Sequence, residues 1–312
     1  MSKNTPIDLK KIETARPGPS DAAPSRELLV RVQVLLDRAN FSPGEIDGRD
    51  GDNLQRALVA YRQSQQLDGN ARMDDTTLQR LVDRDNLQIL QRYTITPEDE
   101  RGPFLPSVPK DFQKLAKLKH IGYTNPEEAL SEKFHMSPAL LHELNPNTDF
   151  SKAGTSITVT RPGTRGIGKV ARIEVDKSAN QLRAYDSTGR VIAAYPATVG
   201  STERPAPSGK ATIISVADDP AYTYDPRRET FGPRSAGVLK IAAGPNSPVG
   251  STWIALSIET YGIHGAPDPE LVGKTASHGC VRLTNWDAAA LGKAVKNGTS
   301  VEFVGQTKPK AT

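Results

Sequence analysis

The first part of the chain has the hydrophobic spacing of short amphipathic helices. Apolar residues recur at steps of three and four, which places them on one face of a helix. Three stretches show this spacing, with apolar positions at Leu28, Leu29, Val32, Leu35 and Leu36, then Leu54, Ala57, Leu58 and Tyr61, and then Leu78, Leu81 and Val82. Ser25 is a suitable N-cap for the first, and the turns Asp47-Gly48 and Asp68-Gly69 separate them. Residues 25–88 are therefore predicted to form a small three-helix domain.

The middle of the chain alternates between strand-like and helical patterns. Two stretches begin with a capping residue followed by proline at the first helical position, Asn125-Pro126 and Ser137-Pro138. Strand-like runs lie outside them, at residues 92–95 and 156–160. This order predicts a β-α-α-β module over residues 89–162.

From about residue 168 onward the pattern changes to short runs in which apolar and polar residues alternate, as in strands with one buried face. They lie at residues 171–176, 181–185, 212–216, 253–258 and 300–304. Ser187-Thr188-Gly189 is predicted to be a hairpin turn, and one helix is predicted with Asn285 as its N-cap and Asn297-Gly298 as its stop. Closely spaced short strands predict a β-sandwich-like domain over residues 168–305. The chain as a whole is predicted to be an α+β protein with several domains.

Length and composition limit the remaining possibilities. With 312 residues, two or three domains are expected; residues 1–24, rich in proline and glycine, are interpreted as a flexible segment and residues 306–312 as a tail. The net charge of +4 comes with both signs mixed along the chain, and no basic block with interleaved aromatic residues indicates nucleic-acid binding. The sequence shows neither a signal-peptide apolar region nor a membrane-spanning apolar run. It is expected to be either cytoplasmic or a mature form without its export signal.

The chain has one cysteine, Cys280, in the stretch Ser277-His278-Gly279-Cys280-Val281-Arg282-Leu283. A lone thiol is an inert buried side chain, a metal ligand or a nucleophile. A nucleophile needs a base and N–H donors for an oxyanion, and two histidines are near in sequence, His278 and His264. Arg282 would place a positive charge on the same side as Cys280 if the segment is extended. A zinc site from the two histidines and the cysteine is a weaker alternative, because no familiar ligand spacing is present.

This heptapeptide, preceded by Ile263-His264-Gly265, resembles the signature of the L,D-transpeptidase (YkuD) catalytic domain, which cross-links bacterial peptidoglycan. Other parts of the chain resemble the same family, at residues 195–200, 205–209 and 244–250. The resemblance covers roughly residues 168–305. It implies a mainly β catalytic domain that uses no cofactor and no metal.

The resemblance also implies the chemistry of the central residues. Cys280 is expected to be the nucleophile that takes an acyl group from a tetrapeptide stem and releases its terminal D-alanine. His264 is expected to act as general base and then as general acid. The backbone carbonyl of the following residue, Gly265, is expected to orient the imidazole.

Four further residues receive supporting roles from the resemblance. His278 and Gly279 are expected to shape the oxyanion pocket, with Ser277 supporting them. Arg282 is expected to bind or orient the substrate. Residues 266–269, Ala-Pro-Asp-Pro, depart from the family pattern, which commonly has threonine or serine after the His-Gly pair. This departure is expected to affect the choice of acceptor.

The implied activity is peptidoglycan L,D-transpeptidation, with stem peptides and glycan strands as partners and carbapenems as expected inhibitors. With water as the acceptor, the same site would be an L,D-carboxypeptidase or another hydrolase. A decayed site would leave a non-catalytic peptidoglycan-binding protein, although the intact motif argues against decay. The resemblance favours an exported protein of the periplasm or cell envelope.

The two N-terminal parts carry resemblances of their own. The Asp-Gly turns of residues 25–88 resemble those of small peptidoglycan-binding domains, and an ordinary helical bundle is the alternative. The β-α-α-β order of residues 89–162 resembles a LysM sugar-binding module, but the stretch from Thr96 to Asn125 is much longer than that module allows. The histidines of this part, His120, His135 and His142, show no ligand spacing and are expected to be ordinary surface or core residues.

Overall fold

The computed structural model describes residues 6–19, 22–164, 166–200, 205–228, 232–233, 237–275 and 279–306. The helices are α1 Leu9–Thr14, α2 Arg26–Arg38, α3 Asp52–Ser64, α4 Asp75–Arg84, α5 Pro97–Arg101, α6 Phe112–Leu115, α7 Pro126–Lys133, α8 Pro138–Leu144 and α9 Asn285–Ala294. The strands are β1 Leu90–Thr94, β2 Ser156–Thr160, β3 Arg172–Asp176, β4 Gln181–Tyr185, β5 Val191–Pro196, β6 Thr198–Val199, β7 Gly209–Asp218, β8 Tyr222–Tyr224, β9 Leu239–Ile241, β10 Thr252–Leu256, β11 Gly262–His264, β12 Val281–Arg282 and β13 Ser300–Val304. Two of the predicted site residues, Ser277 and His278, lie outside the described residues.

These elements fall into two compact units. The first contains residues Met1–Gly102 and Asn125–Arg165, and the second contains Pro103–Thr124 and Gly166–Thr312. The chain therefore passes from one unit to the other three times. The segment Pro103–Thr124 falls within the predicted β-α-α-β module in sequence but belongs to the second unit in the fold.

In the first unit, α2, α3 and α4 lie where the apolar spacing predicts helices. Ser25 caps α2, since its hydroxyl accepts a hydrogen bond from the N–H of Leu28 at 3.2 Å. The buried amide of Gln33 holds the following Asp-Gly turn. Its oxygen accepts hydrogen bonds from the N–H groups of Asp47 at 3.1 Å and Gly48 at 2.8 Å. Gly48 has a φ of 65°, a conformation that glycine adopts without strain.

The N-terminal segment differs from the flexible one predicted for residues 1–24, because it contains α1. Ile12 on this helix is fully buried. The Glu13 carboxylate accepts hydrogen bonds from the N–H groups of Ile89 and Leu90, each at 2.9 Å. A helix of six residues is too short to show a periodic pattern and is not stable alone. Contacts with residues far along the chain stabilise it, and a local pattern does not reveal them.

The two predicted N-terminal domains form one unit. β1 pairs antiparallel with β2, and α7 and α8 lie between these strands in sequence. The end of α2 holds the two parts together. The guanidinium of Arg38, which is 3% exposed, donates hydrogen bonds to the carbonyls of Leu87 at 3.0 Å, Gln88, and Arg161 at 2.8 Å. The predicted boundary between residues 88 and 89 therefore does not separate two independent bodies.

The second unit is built on one nine-stranded sheet with the order β5-β4-β3-β13-β7-β10-β11-β12-β6. Its neighbouring strands run antiparallel except at two pairs, β13 with β3 and β11 with β12. The long strand β7 joins the two halves, because its first residues pair with β13 and its later residues pair with β10. Apolar residues of both halves, such as Val175 and Ile263, belong to one buried cluster. The predicted α+β class is confirmed, but the strands form one continuous, barrel-like sheet rather than two stacked sheets.

The helix α9 follows β12 and begins one residue away from its predicted cap. Thr284 is the N-cap, since its hydroxyl accepts a hydrogen bond from the N–H of Asp287 at 3.2 Å. The side chain of Asn285 instead accepts from the N–H of Ser251 at 3.1 Å and donates to the carbonyl of Pro245 at 3.2 Å. Threonine and asparagine are both good caps, so the prediction of Asn285 was wrong because a distant loop engages its side chain.

We expect that replacing Arg38 by alanine destabilises the first unit by about 3 kcal/mol, because three carbonyls lose a buried donor at about 1 kcal/mol each. Urea denaturation followed by circular dichroism measures this change. Arg101→Ala is the matched control, since the Arg101 side chain is exposed and its ion pair with Glu98, at 3.9 Å, contributes little. A loss no larger in Arg38→Ala than in Arg101→Ala would contradict the role given to Arg38.

Candidate active site

Cys280 lies directly before β12, in a loop that is partly outside the described residues. Gly279 has a φ of 110°, a region in which a side chain is strained. The backbone therefore favours glycine at the residue before the thiol. The Sγ atom lies 3.7 Å from the carbonyl oxygen of Thr260, and the residue is partly exposed. The expected roles of Ser277 and His278 stay predictions, because neither residue is among those described.

The strand β11 brings His264 beside the cysteine segment. β11 and β12 run parallel, with His264 directly opposite Arg282. The N–H of Leu283 donates to the carbonyl of His264 at 2.8 Å, which extends the ladder beyond the end of β12. Neighbouring strands in a sheet lie about 4.8 Å apart. The histidine and the residues that follow Cys280 are therefore held in a fixed register.

The imidazole of His264 is oriented by the next residue in the chain. Nδ1 lies 2.6 Å from the carbonyl oxygen of Gly265. A carbonyl oxygen only accepts hydrogen bonds, so Nδ1 carries the proton in this contact. In the neutral ring, Nε2 then holds the lone pair that can accept a proton. The contact selects the tautomer that a general base requires.

Burial keeps this imidazole uncharged. His264 is 3% exposed. Its removal from water lowers its pKa to about 3, and the positive charge of Arg282 acts in the same direction. Hydrogen bonds with the backbone of Gly265 and Val249 raise the pKa but are outweighed. At neutral pH the ring is therefore an uncharged base.

An indole covers one face of the imidazole. Trp253 lies opposite His264 across the β10–β11 pair, and the two rings stack with centroids 5.4 Å apart and planes inclined by 23°. Gly262, two residues before the histidine, makes room for this ring. A Cβ atom there would lie 2.5 Å from the indole. A side chain at residue 262 would displace Trp253 and expose the imidazole.

The amide of Asn285 fixes the backbone around the histidine. A Cβ atom on Gly265 or on Gly250 would lie 2.2 Å from the Asn285 side-chain oxygen. The same oxygen accepts the hydrogen bond from the N–H of Ser251. Asn285 thus occupies the space that two side chains would need, which explains why glycine follows His264.

Arg282 presents a partly unsatisfied guanidinium beside His264. Its Nε atom is buried and has no hydrogen-bond partner among the described residues. Burial lowers the pKa of Arg282, while Cys280, Asp268 and Tyr222 act in the opposite direction. A buried N–H without a partner costs about 1–3 kcal/mol. A carboxylate is the acceptor that best matches a guanidinium, so the site favours a ligand that carries one.

A cavity of about 350 Å³ adjoins these residues. Trp253, which stacks on His264, and Thr260, whose carbonyl contacts Cys280, both line it. Other lining residues are Tyr222, Asp225, Arg228 and Val249. Aromatic rings, a carboxylate and a guanidinium meet in this cavity, which suits a ligand with both apolar and charged groups.

Two further histidines contact carboxylates within the first unit. Nδ1 of His135 lies 3.0 Å from the Asp37 carboxylate, and Nε2 of His142 lies 2.9 Å from the Glu127 carboxylate. Within the described ranges, no group of three histidine, cysteine, aspartate or glutamate residues is placed to hold a metal ion. No helix of the described part of the chain is long and apolar enough to cross a membrane.

Sequence reasoning missed two residues that shape the site, Trp253 and Asn285. A signal for the first existed, because glycine inside a strand, here Gly262, often marks a place where another group approaches closely. No local signal pointed to the role of Asn285. Its partner Ser251 is far away in sequence, and the residue also fits the pattern of a helix cap.

Comparison with known proteins identifies the family of the second unit's sequence. The sequence model of the L,D-transpeptidase catalytic domain, YkuD, matches residues 170–303. The putative L,D-transpeptidase YkuD of Bacillus subtilis is 30% identical over 175 residues, which cover 55% of this chain and 90% of that protein. Its counterpart in Bacillus licheniformis is 27% identical over 177 residues, covering 56% of this chain and 92% of that protein.

A solved structure is similar over a comparable length. L,D-transpeptidase 3 of Mycobacterium tuberculosis, in complex with a faropenem-derived adduct, has 18% sequence identity and a TM-score of 0.37. The match covers 49% of this chain and 66% of that one. On the Bacillus subtilis relative and the matched catalytic-domain model, this chain belongs to the L,D-transpeptidase (YkuD) family.

Proposed function

We propose that this protein is a peptidoglycan L,D-transpeptidase that cross-links stem peptides through a thioester on Cys280. Family membership supports the reaction type. The observation that carries the proposal is the contact of 2.6 Å between Nδ1 of His264 and the carbonyl of Gly265. It leaves Nε2 of a buried, uncharged imidazole as a proton acceptor beside the strand that follows the thiol.

The reaction begins with proton transfer from the Cys280 thiol to Nε2 of His264. A pKa of about 3 makes the isolated imidazole a weak base. The thiolate that forms is a negative charge next to the imidazolium, and an adjacent opposite charge favours the charged state of both groups. The proton therefore moves within a coupled pair. The sulfur then attacks the carbonyl after the third stem residue.

Collapse of the tetrahedral intermediate breaks the C–N bond to the terminal D-alanine. The imidazolium of His264 gives its proton to the leaving amine. The acyl group stays on Cys280 as a thioester until an amine of a neighbouring stem attacks it. His264 takes the proton of that amine, the C–S bond breaks, and the proton returns to the sulfur. The positive φ of Gly279 turns the backbone before Cys280, and N–H groups of this turn, with His278, are proposed to bind the oxyanion.

Arg282 is proposed to bind a carboxylate of the substrate. Its buried Nε has no partner among the described residues, and a carboxylate would supply the missing acceptor. Its charge also opposes protonation of His264. Binding of a negative group would weaken that effect and make the imidazole more basic when substrate is present.

The first unit is proposed to hold the enzyme on the cell wall, in the periplasm or cell envelope. The Asp-Gly turn fixed by Gln33 and the antiparallel pair β1–β2, with α7 and α8 between its strands, support this proposal. Glycan strands and stem peptides are the proposed ligands.

Incubation with disaccharide-tetrapeptide followed by mass spectrometry tests the reaction. Cross-linked dimers and released D-alanine are expected from the wild type, and Cys280→Ala should give neither. His264→Ala should lower the rate by about 100-fold or more. His142→Ala is the matched control and should leave it unchanged. Tripeptide without dimers would identify a carboxypeptidase, and unchanged tetrapeptide would contradict both reactions.

The charge state of His264 gives a pH prediction. Its pKa is lowered from 6.5 to about 3, so the neutral Nδ1–H tautomer should persist from pH 8 down to pH 5. An unperturbed histidine is mostly protonated at pH 5. Long-range proton–nitrogen NMR spectra distinguish the two forms, and loss of the signal in His264→Gln assigns it. A midpoint near pH 6.5 would show that the ring is not buried as described.

Wall binding can be measured with insoluble sacculi. The full-length Cys280→Ala variant is used because it cannot cleave the wall through a thioester. If the first unit binds the wall, this variant should sediment with the sacculi and leave them unaltered. Insoluble cellulose in place of sacculi is the control for non-specific adsorption. Protein that stays in the supernatant with both materials would refute the proposed role of the first unit.

A further inference from the structure

The segment Pro103–Thr124 has no role in the reaction described above. It separates α5 from α7 in sequence, yet it packs within the second unit. The helix α6 lies in it. Leu115 at the end of this helix and Ile121 later in the segment form a buried cluster with Ile241 of β9. This segment of the N-terminal half is therefore part of the catalytic unit.

The hairpin of β8 and β9 needs such a partner. These two strands form a separate sheet and pair with no strand of the nine-stranded sheet. A two-stranded hairpin is only marginally stable in water and depends on packing against another element. Phe112 of α6 supplies that packing. The centroid of its ring lies 4.9 Å from the ring centroid of Tyr224, which is fully buried, and 6.3 Å from that of Tyr222.

The hairpin leads directly to the cavity beside the thiol. Tyr222 lines this cavity, as do Asp225 and Arg228 just after β8. Arg228 also forms an ion pair with Glu259, the residue before Thr260. Thr260 is the residue whose carbonyl contacts Sγ of Cys280. The position of the hairpin therefore determines the shape of the space in which an acyl donor meets the sulfur.

The same segment also contacts a second border of the site, the loop of residues 244–250. The N–H of Ile121 donates to the carbonyl of Ala243 at 2.8 Å, and its carbonyl accepts from the N–H of Asn246 at 3.1 Å. The side chain of Asn246, which is buried, donates to the carbonyl of Gly122 at 3.2 Å. Glycine at residue 244 permits this close approach, because a Cβ atom there would lie 2.3 Å from the carbonyl oxygen of Ile121.

That loop ends next to the proposed base. Val249 lines the cavity, and its backbone forms a hydrogen bond with His264. Ile121 and Phe112 thus hold two separate walls of one cavity, the loop and the hairpin. The hydrogen bonds of Ile121 fix the position of the loop, and the ring of Phe112 fixes the position of the hairpin.

We propose that Pro103–Thr124 is a positioning element for the transferase site, with Phe112 and Ile121 as its anchoring residues. It holds the acyl-donor cavity open in a defined shape and does not take part in proton transfer. The proposal rests on the function proposed above only in naming the ligand of the cavity. Loss of the element should impair reaction with bulky acyl donors more than the intrinsic reactivity of the thiol.

The test uses the full chain and compares Phe112→Ala with wild type. Imipenem is the bulky donor. The thiolate adds to its β-lactam carbonyl, the ring C–N bond breaks and the nitrogen takes a proton, so the protein gains the full mass of the inhibitor. Iodoacetamide is the small probe. Phe112→Ala is expected to slow imipenem acylation at least tenfold and to change the alkylation rate of Cys280 less than twofold.

Phe104→Ala is the matched control, because Phe104 lies in the same segment outside the apolar cluster. It should leave both rates within twofold of wild type. Equal imipenem rates in Phe112→Ala and wild type would overturn the proposal, as would an equal loss with both reagents. If Phe112→Ala shows no cooperative unfolding transition, Phe112→Leu takes its place under the same criteria.

Hydrogen exchange separates this proposal from the proposed function. Amides of residues 222–224 and 239–241 should lose protection in Phe112→Ala and keep it in Phe104→Ala, whether or not the protein reacts with imipenem. A wild type that imipenem does not acylate would count against the proposed function alone. Unchanged protection of the hairpin in Phe112→Ala would refute the positioning element alone.

Discussion

The parallel pairing of β11 with β12 is the contact on which the site depends. Parallel neighbours cannot be joined by a tight turn, so a long connection must leave the end of β11 and return to the start of β12. His264 is the last residue of β11, and Cys280 directly precedes the first residue of β12. The ladder therefore brings together two residues that the connection separates. A shift of one register position would move Arg282 away from His264 and turn the side chains to the other face.

The surroundings of His264 explain why glycine is frequent in this region. Gly262 leaves space for the indole of Trp253, and Gly265 leaves space for the amide of Asn285. These glycines are required by close packing rather than by flexibility. Tight packing excludes water from the imidazole, and the loss of hydration is what lowers its pKa. The uncharged state of His264 thus depends on how closely Trp253 and the neighbouring backbone can approach its ring.

Local sequence patterns predicted the features that depend on neighbouring residues, such as strands and turns. Features that depend on contacts between distant residues were missed or misplaced. The strands β3, β4, β7, β10 and β13 lie where runs of alternating residues predict them, and the turn at Gly189, with a φ of 84°, follows residue type. Cys280 and His264 could be proposed as site residues because each lies in a contiguous motif. The cap of α9 was misplaced by one residue because Ser251, far away, engages Asn285. The helix α1 was missed because Glu13 finds its partners at residues 89 and 90.

The three passages of the chain between its units limit how this protein can change by recombination. Exchange of everything after Gly166 would bring in a new sheet, a new hairpin and a new loop of residues 244–250. The residues that fit against that hairpin and loop, Phe112 and Ile121, would stay behind in the N-terminal half. Such an exchange would therefore separate residues that contact one another, even though Cys280 and His264 both lie after Gly166. Boundaries drawn from sequence order alone would divide a structure that is continuous in space.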